Sequence, residues 1–236
     1  MTLNLKTLAT LPAAVRTPTY DRADLSAGIV HIGLGNFHRA HQAWYSHQLM
    51  QQGLALDWAI VGAGVRAADA EQRTKLLAQD CLTTLIELDP SGKSAEVIGS
   101  MIDYVEVRAD NAPLLAQMSD PATRIVSLTV TEGGYYQTVE GTFDAAHADI
   151  AHDAAHPATP KTAFGAICAA LKARRAAGAG PVTCQSCDNL QGNGDILRAI
   201  VVGLARRIDT DLAEWIEHQG AFPNSMVDCI VPAPGP

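Results

Sequence analysis

The run Gly28-Ile29-Val30-His31-Ile32-Gly33-Leu34-Gly35-Asn36-Phe37-His38 constrains the fold more than any other part of the chain. A short apolar strand leads into a Gly-x-Gly turn, and Arg39, Ala40 and His41 open a helix. This geometry aims backbone N–H groups and a helix N-terminus at an anion, a diphosphate above all. A dinucleotide is therefore the first ligand to consider. The pattern departs from Gly-x-Gly-x-x-Gly at its third glycine, where His38 stands. An ordinary strand-to-helix turn is the competing reading.

The rest of the chain alternates strand and helix signals. Asn36 to Gln52 has a helical pattern closed by Gly53, and Trp58–Val61 reads as a second buried strand. Asp69 to Gln79 is a polar helix that Asp69 can cap. Cys81–Leu88 and Ala95–Ser100 are β-rich and joined by the turn Asp89-Pro90-Ser91-Gly92, which predicts an antiparallel excursion. Asn111–Met118 reads as a helix, and Arg124–Thr131 as the strongest strand of the chain. Residues 137–160 read as one long irregular loop. Thr162 to Ala177 is a helix ended by Gly178, Pro181–Gln185 a strand, Gly194 to Ile208 and Leu212–His218 helices, and Phe222–Val231 a last strand. The expected fold is α/β, a doubly wound and mostly parallel Rossmann-type sheet with a small antiparallel excursion. The expected organisation is one dinucleotide-binding domain over residues 1–231, with residues 1–27 as an N-terminal arm and 232–236 as a Pro-rich tail.

Composition narrows the partners. Hydrophobic residues make up 47% of the 236, enough for a normal core. The net charge is −8 with no basic stripe, which argues against nucleic acid. No stretch approaches the roughly 20 apolar residues of a membrane span, and Met1 to Thr10 hold no apolar signal core. Five cysteines, an odd count, point to free thiols and a cytoplasmic setting.

The dinucleotide fingerprint also needs an acid near the end of the second strand to accept bonds from the adenosine ribose. Asp69 is that candidate, further from the glycines than the usual ~20 residues. Arg66 beside it can accommodate a 2′-phosphate, which leaves NADP open. Gly62-Ala63-Gly64 is a second glycine turn, read as a decoy because one such turn sits at the switch point of a sheet. Cys184-x-x-Cys187 reads as two small residues at a strand end rather than a redox or zinc pair. His38-x-x-His41 and the loop group His147, His152 and His156 lack a complete ligand set, so no metal is expected.

The segment His31 to Ala43 resembles the N-terminal motif of the mannitol dehydrogenase family, the long-chain polyol and hexuronate dehydrogenases. Three more segments agree in order: Thr131-Glu132-Gly133-Gly134-Tyr135, Ser186-Cys187-Asp188-Asn189, and Phe222-Pro223-Asn224-Ser225-Met226-Val227-Asp228. The resemblance runs from about Leu3 to Val231. It implies an NAD-binding Rossmann-type half followed by a mostly helical C-terminal domain. Gly33, Gly35, Asn36, Phe37, His38 and Arg39 then match the diphosphate turn, and Asp69 the acid that favours NAD. Ala68 stands where some members carry another acid. Thr131, Glu132 and Gly133 match the loop at the carboxyl edge of the sheet. A carboxylate there serves the nicotinamide end or a proton route, or else caps the loop. Asn189 matches an amide that holds the reacting substrate oxygen, a role suited to a fixed donor near developing negative charge. A turn asparagine is the alternative. Val227 and Asp228 match a short motif near the nicotinamide.

Two departures bear on activity. Cys229 replaces the arginine of the family's Val-Asp-Arg, which removes a permanent charge and five donors. The family's catalytic Lys-x-x-x-x-Asn-x-x-His pattern occurs nowhere in the 236 residues. The expected reaction is hydride transfer between a polyol C2 and NAD⁺, giving a ketose such as fructose, with this chain as the cofactor-binding half and inactive alone. A fructuronate-type hexuronate reductase and a truncated, non-catalytic NAD(H)-binding module are the alternatives. The expected partners are a small polyol or ketose; the oligomeric state is not legible.

Overall fold

The computed structural model describes residues 2–227 and 231. The strands are β1 (Val15–Arg16), β2 (Ala27–Ile32), β3 (Ala59–Ala63), β4 (Thr83–Asp89), β5 (Gly92–Ile98), β6 (Met101–Tyr104), β7 (Ile125–Leu128) and β8 (Thr183–Ser186). The helices are α1 (Asn36–Ala40), α2 (Gln42–Met50), α3 (Asp69–Leu77), α4 (Ala112–Ser119), α5 (Ala148–Ala155), α6 (Ala163–Ala177), α7 (Asn193–Ile208) and α8 (Thr210–Gln219).

The main sheet has the order β6-β3-β2-β7-β8, and every neighbouring pair is parallel. A parallel strand needs a crossover on one face or the other, so central strands are covered on both sides and read as unbroken apolar runs. β2 and β3 fit this, since Gly28–Ile32 and the whole of β3 are buried. Side chains alternate between faces. Val30 and Ile32 join Leu114, Phe164 and Leu197 from α4, α6 and α7 in one core. Ile29 and Ile60 join Ala43 and Leu76 from α2 and α3 in the other. The sheet is doubly wound, and its order reverses between β2 and β7. In such sheets ligands bind outside the carboxyl ends of the strands at that reversal.

The antiparallel excursion is β4 paired with β5, and β1 from the N-terminal arm adds in parallel to make a three-stranded sheet. Four local expectations need correction. The helix after the glycine turn is two helices, broken at His41 (φ −119°, ψ −81°). Residues 137–160 contain α5, which starts on a bond from the Asp149 N–H to His147 Nδ1 (3.2 Å) and buries Ile150 and Asp153. β6 forms where no strand was expected. No strand forms over the described residues Phe222–Val227, because their polar groups are engaged by α7 instead; Asp228 to Ile230 lie outside the described residues.

Candidate functional site

At the end of β2, Gly33 takes φ +90°. A side chain there would collide with the Thr129 carbonyl oxygen beyond β7, so the turn needs glycine for both conformation and space. The Gly33 N–H donates to Ala63 O (3.1 Å), and Thr129 Oγ1 donates to Gly33 O. Leu34 turns inward onto Gly62 and is buried, while Gln72 of α3 donates to its carbonyl (2.5 Å). Gly35 precedes α1 with nothing within 4 Å of where a Cβ would stand. The outer surface of the turn is therefore backbone. The N–H groups of Asn36, Phe37 and His38 open the helix, where no intrahelical acceptor exists. Arg39 folds back over it, donating from Nη2 to Asn36 Oδ1 (2.5 Å) and from Nε to Gly35 O (3.4 Å).

Beneath the turn lies a buried polar cluster. His31 and His38 stack with ring centroids 3.7 Å apart, and both are fully buried. His31 Nε2 is 3.1 Å from Gly33 O, so it carries the proton and donates. Its Nδ1 then accepts from the Ser127 hydroxyl (2.7 Å), Ser127 accepts from Gln42 Nε2 (3.0 Å), and Gln42 Oε1 accepts from His38 Nδ1 (3.0 Å). This chain of donors requires a neutral His31, while His38 donates from Nδ1 and its buried Nε2 has no hydrogen-bond partner among the described residues. Burial agrees with it: it pushes His31 well below the usual histidine range and lowers His38 to about 4. His38 thus stands at the expected place in sequence, but its ring faces inward and supports the turn instead of facing outward.

At the end of β3, Gly62 and Ala63 lie buried in the strand, and the Asp69 side chain occupies the space beside Gly64. This is no second phosphate turn. Asp69 is the first residue of α3, and its Oδ2 accepts the Arg66 N–H (2.9 Å). It ties the preceding turn, while Ala68, with no side-chain bond, sits at the cap itself. Beside it an open cleft of about 410 Å³ runs between α1 and α3, lined by Arg39, Ala68, Glu71, Gln72 and Lys75.

The loops after β7 and β8 meet at Asp188. Its buried carboxylate accepts the Val130 N–H (3.0 Å), the Thr131 N–H (2.9 Å) and the Tyr135 hydroxyl (2.7 Å). Thr131, at φ +64°, leads into a single helical turn, Glu132–Tyr135. Thr131 and Gly133 are exposed, as is Asn189, next to Asp188. Segment 222–227 is stitched to the same edge. Asn224 Oδ1 accepts the N–H groups of Gly194 (2.8 Å) and Asp195 (3.2 Å), and so caps α7 from outside. Asn193 Oδ1 accepts the Ser225 N–H (2.9 Å), and Ser225 Oγ donates to Ser186 O (2.6 Å). Val227 follows two residues later.

Gly33 to Arg39, Asp69, Thr131 to Gly133, Asn189 and Val227 therefore all lie at the carboxyl edge, in its loops or in the first turns of α1 and α3. Asp228 lies outside the described residues. Gln42, Ser127, Asp188, Asn193 and Asn224 escaped the sequence reading as individual residues. Gln42, Asp188 and Asn224 lay inside motifs it had singled out, while Ser127 and Asn193 have no local signature. Cys184 and Cys187 are buried free thiols that burial pushes up to about 12, well away from a reactive thiolate. Among the described residues no group of three or more histidine, cysteine or acidic side chains could hold a metal, and no helix is long and apolar enough to cross a membrane.

Residues 27–234 match the model of the mannitol dehydrogenase Rossmann domain. A mannitol 2-dehydrogenase of Cereibacter sphaeroides is 60% identical over 94% of this chain and 47% of its own length. A polyol:NADP oxidoreductase of Gluconobacter oxydans is 46% identical over 96% of this chain and 47% of its own. Among solved structures, a ternary complex of Pseudomonas fluorescens mannitol 2-dehydrogenase with NAD and D-mannitol superposes with a TM-score of 0.93 at 46% identity, covering 98% of this chain and 48% of that one. The chain spans about half the length of the relatives it matches.

Proposed function

Because the chain belongs to the mannitol dehydrogenase family, we propose that residues 1–231 are the NAD-binding domain of a polyol 2-dehydrogenase of the mannitol type. The observation that carries the reading is the glycine turn at the reversal of the sheet. Its outer face is bare backbone, Gly33 allows no other residue, and the first N–H groups of α1 open beside it. A diphosphate fits this cradle, held by the N–H groups of Asn36, Phe37 and His38 at the start of α1 and by the Arg39 charge. Asp69 accepts from the adenosine ribose hydroxyls, and the adenosine end lies along the cleft between α1 and α3. When bound, NAD⁺ supplies the hydride acceptor for oxidation of a polyol at C2 to a ketose such as fructose.

The chain's own residues contribute binding, orientation and charge. Thr131, Glu132 and Gly133 border the nicotinamide end from the loop after β7, with Val227 completing that border. Asn189 donates its amide to the substrate oxygen, where negative charge grows as the C–H bond is lost. The general base that takes the hydroxyl proton is not assigned to these residues, since they contain no Lys-x-x-x-x-Asn-x-x-His pattern. A soluble, cytoplasmic setting in carbohydrate metabolism accords with free buried thiols and this substrate class.

Calorimetric titration with NADH, and with NADPH as the comparison, tests the reading. Asp69 repels a 2′-phosphate, so NADH should bind at least ~10-fold more tightly, a difference of about 1.4 kcal/mol. Preference for NADPH would overturn the role of Asp69 and align the chain with its NADP-using relative. Folded protein that binds neither would overturn the domain assignment.

A further inference from the structure

Resting on the dinucleotide reading above, we infer that Asp188 is a positioning residue for the nicotinamide end of the site. It locks the loop after β7 to the loop after β8 and so fixes Thr131 and Asn189 relative to one another. Both carboxylate oxygens are used: Oδ1 accepts the Thr131 N–H (2.9 Å), and Oδ2 accepts the Val130 N–H (3.0 Å) and the Tyr135 hydroxyl (2.7 Å). Two successive amides facing one carboxylate form a fork that only an acceptor-only group can satisfy. The fork grips the chain where it is least comfortable. Thr131 stands at φ +64°, a conformation a β-branched residue keeps only when its surroundings impose it.

Asp188 is itself fixed. Its N–H donates to Ser186 Oγ (3.3 Å), which is 2.6 Å from the Tyr135 hydroxyl, and its carbonyl accepts Asn193 Nδ2 (3.1 Å). The same Asn193 amide donates to Ser225 O (3.0 Å). One buried carboxylate thus sits at the junction of three loops at the carboxyl edge, and its sequence neighbour Asn189 carries the amide proposed to meet the substrate oxygen. The glycine turn has holders of its own in Thr129, Ala63 and Gln72. Asp188 should therefore govern the nicotinamide end and leave the adenosine and diphosphate end alone.

The test compares NADH with ADP-ribose, which lacks only the nicotinamide, on the wild-type chain and on Asp188→Asn and Tyr135→Phe. An asparagine turns a donor toward an N–H and loses one arm of the fork. Asp188→Asn should bind NADH ~10-fold more weakly and ADP-ribose within about twofold of wild type. Tyr135→Phe, which keeps the fork and loses one donor, should weaken NADH alone by about two- to threefold. Equal weakening of both ligands, or no change in either, would overturn the inference by reducing Asp188 to a structural role or none. If Asp188→Asn does not fold, Tyr135→Phe decides on the same criterion. A wild-type chain that binds neither ligand removes the dinucleotide reading and this inference with it, an outcome distinct from a failure of Asp188 alone.

Discussion

Gly33 carries two independent demands, a positive φ and a contact with the Thr129 carbonyl too close for any Cβ. Gly33→Ala should therefore both destabilise the chain, by about 2 kcal/mol or more, and abolish NADH binding; urea unfolding and calorimetry measure the two separately. The neighbouring glycine differs. Gly35 has φ −79° and open space around it, so its substitution meets no steric obstacle. The sequence showed two glycines of equal rank, and only the fold separates them, because the obstacle at Gly33 comes from a residue 96 positions away. The same holds for His38. Its place in the motif was plain, but its inward ring was not, since its stacking on His31 forms only once the chain has turned at Gly33. Asp69 was legible as an acid after the second strand. Its bond to the Arg66 N–H was not, because helix caps and ribose ligands draw on the same residue types.

The elements that were read correctly carry strong local signals. α6 starts at Thr162, whose side chain accepts the Gly165 N–H, and stops at Gly178 with φ +69°. β2, β3 and β7 are mostly buried aliphatic runs, interrupted by His31 and Ser127. The elements that were missed are short. β1 has two residues and exists only because β5 accepts it. α5 hides among histidines and aspartates, where its alanines were the available signal. α7 was expected over Gly194 to Ile208 and forms over Asn193–Ile208; what was not legible is its start, which has no side-chain cap of its own and borrows Asn224 from 30 residues on. Asn224→Ala should then cost about 1 kcal/mol, as local caps do, and lower the thermal midpoint. It should also release segment 222–227 from the sheet edge, read as faster amide exchange at Gly194 and Ser225. An unchanged midpoint and unchanged exchange would show that the cap carries no weight.

At the scale of the molecule, the polar cluster under the turn couples stability to pH. Burial holds His31 and His38 below the usual histidine range, His38 to about 4, whereas the unfolded chain titrates near 6.5. The unfolded state binds more protons between those values, so stability is whole above pH 6.5 and falls as pH drops toward 4. His38 alone should remove about 2 kcal/mol by pH 5. Urea midpoints at pH 7.5 and 5.0 measure this, and equal midpoints would contradict the neutral, stacked pair. The mostly parallel, doubly wound sheet followed from the alternation of strand and helix signals. The junction of three loops at Asp188 did not, because it depends on side chains that converge only once the sheet is built. The central claim is that the carboxyl edge of this sheet, entered through the Gly33 turn, holds a dinucleotide. Its most direct test is an amide NMR titration of the ¹⁵N-labelled chain with NADH. The account predicts saturable shifts centred on Gly33 through Arg39, Asp69 and its turn, the cleft residues of α3, Thr131 through Gly133, and Val227. Shifts centred elsewhere, or none in a folded chain, would contradict it.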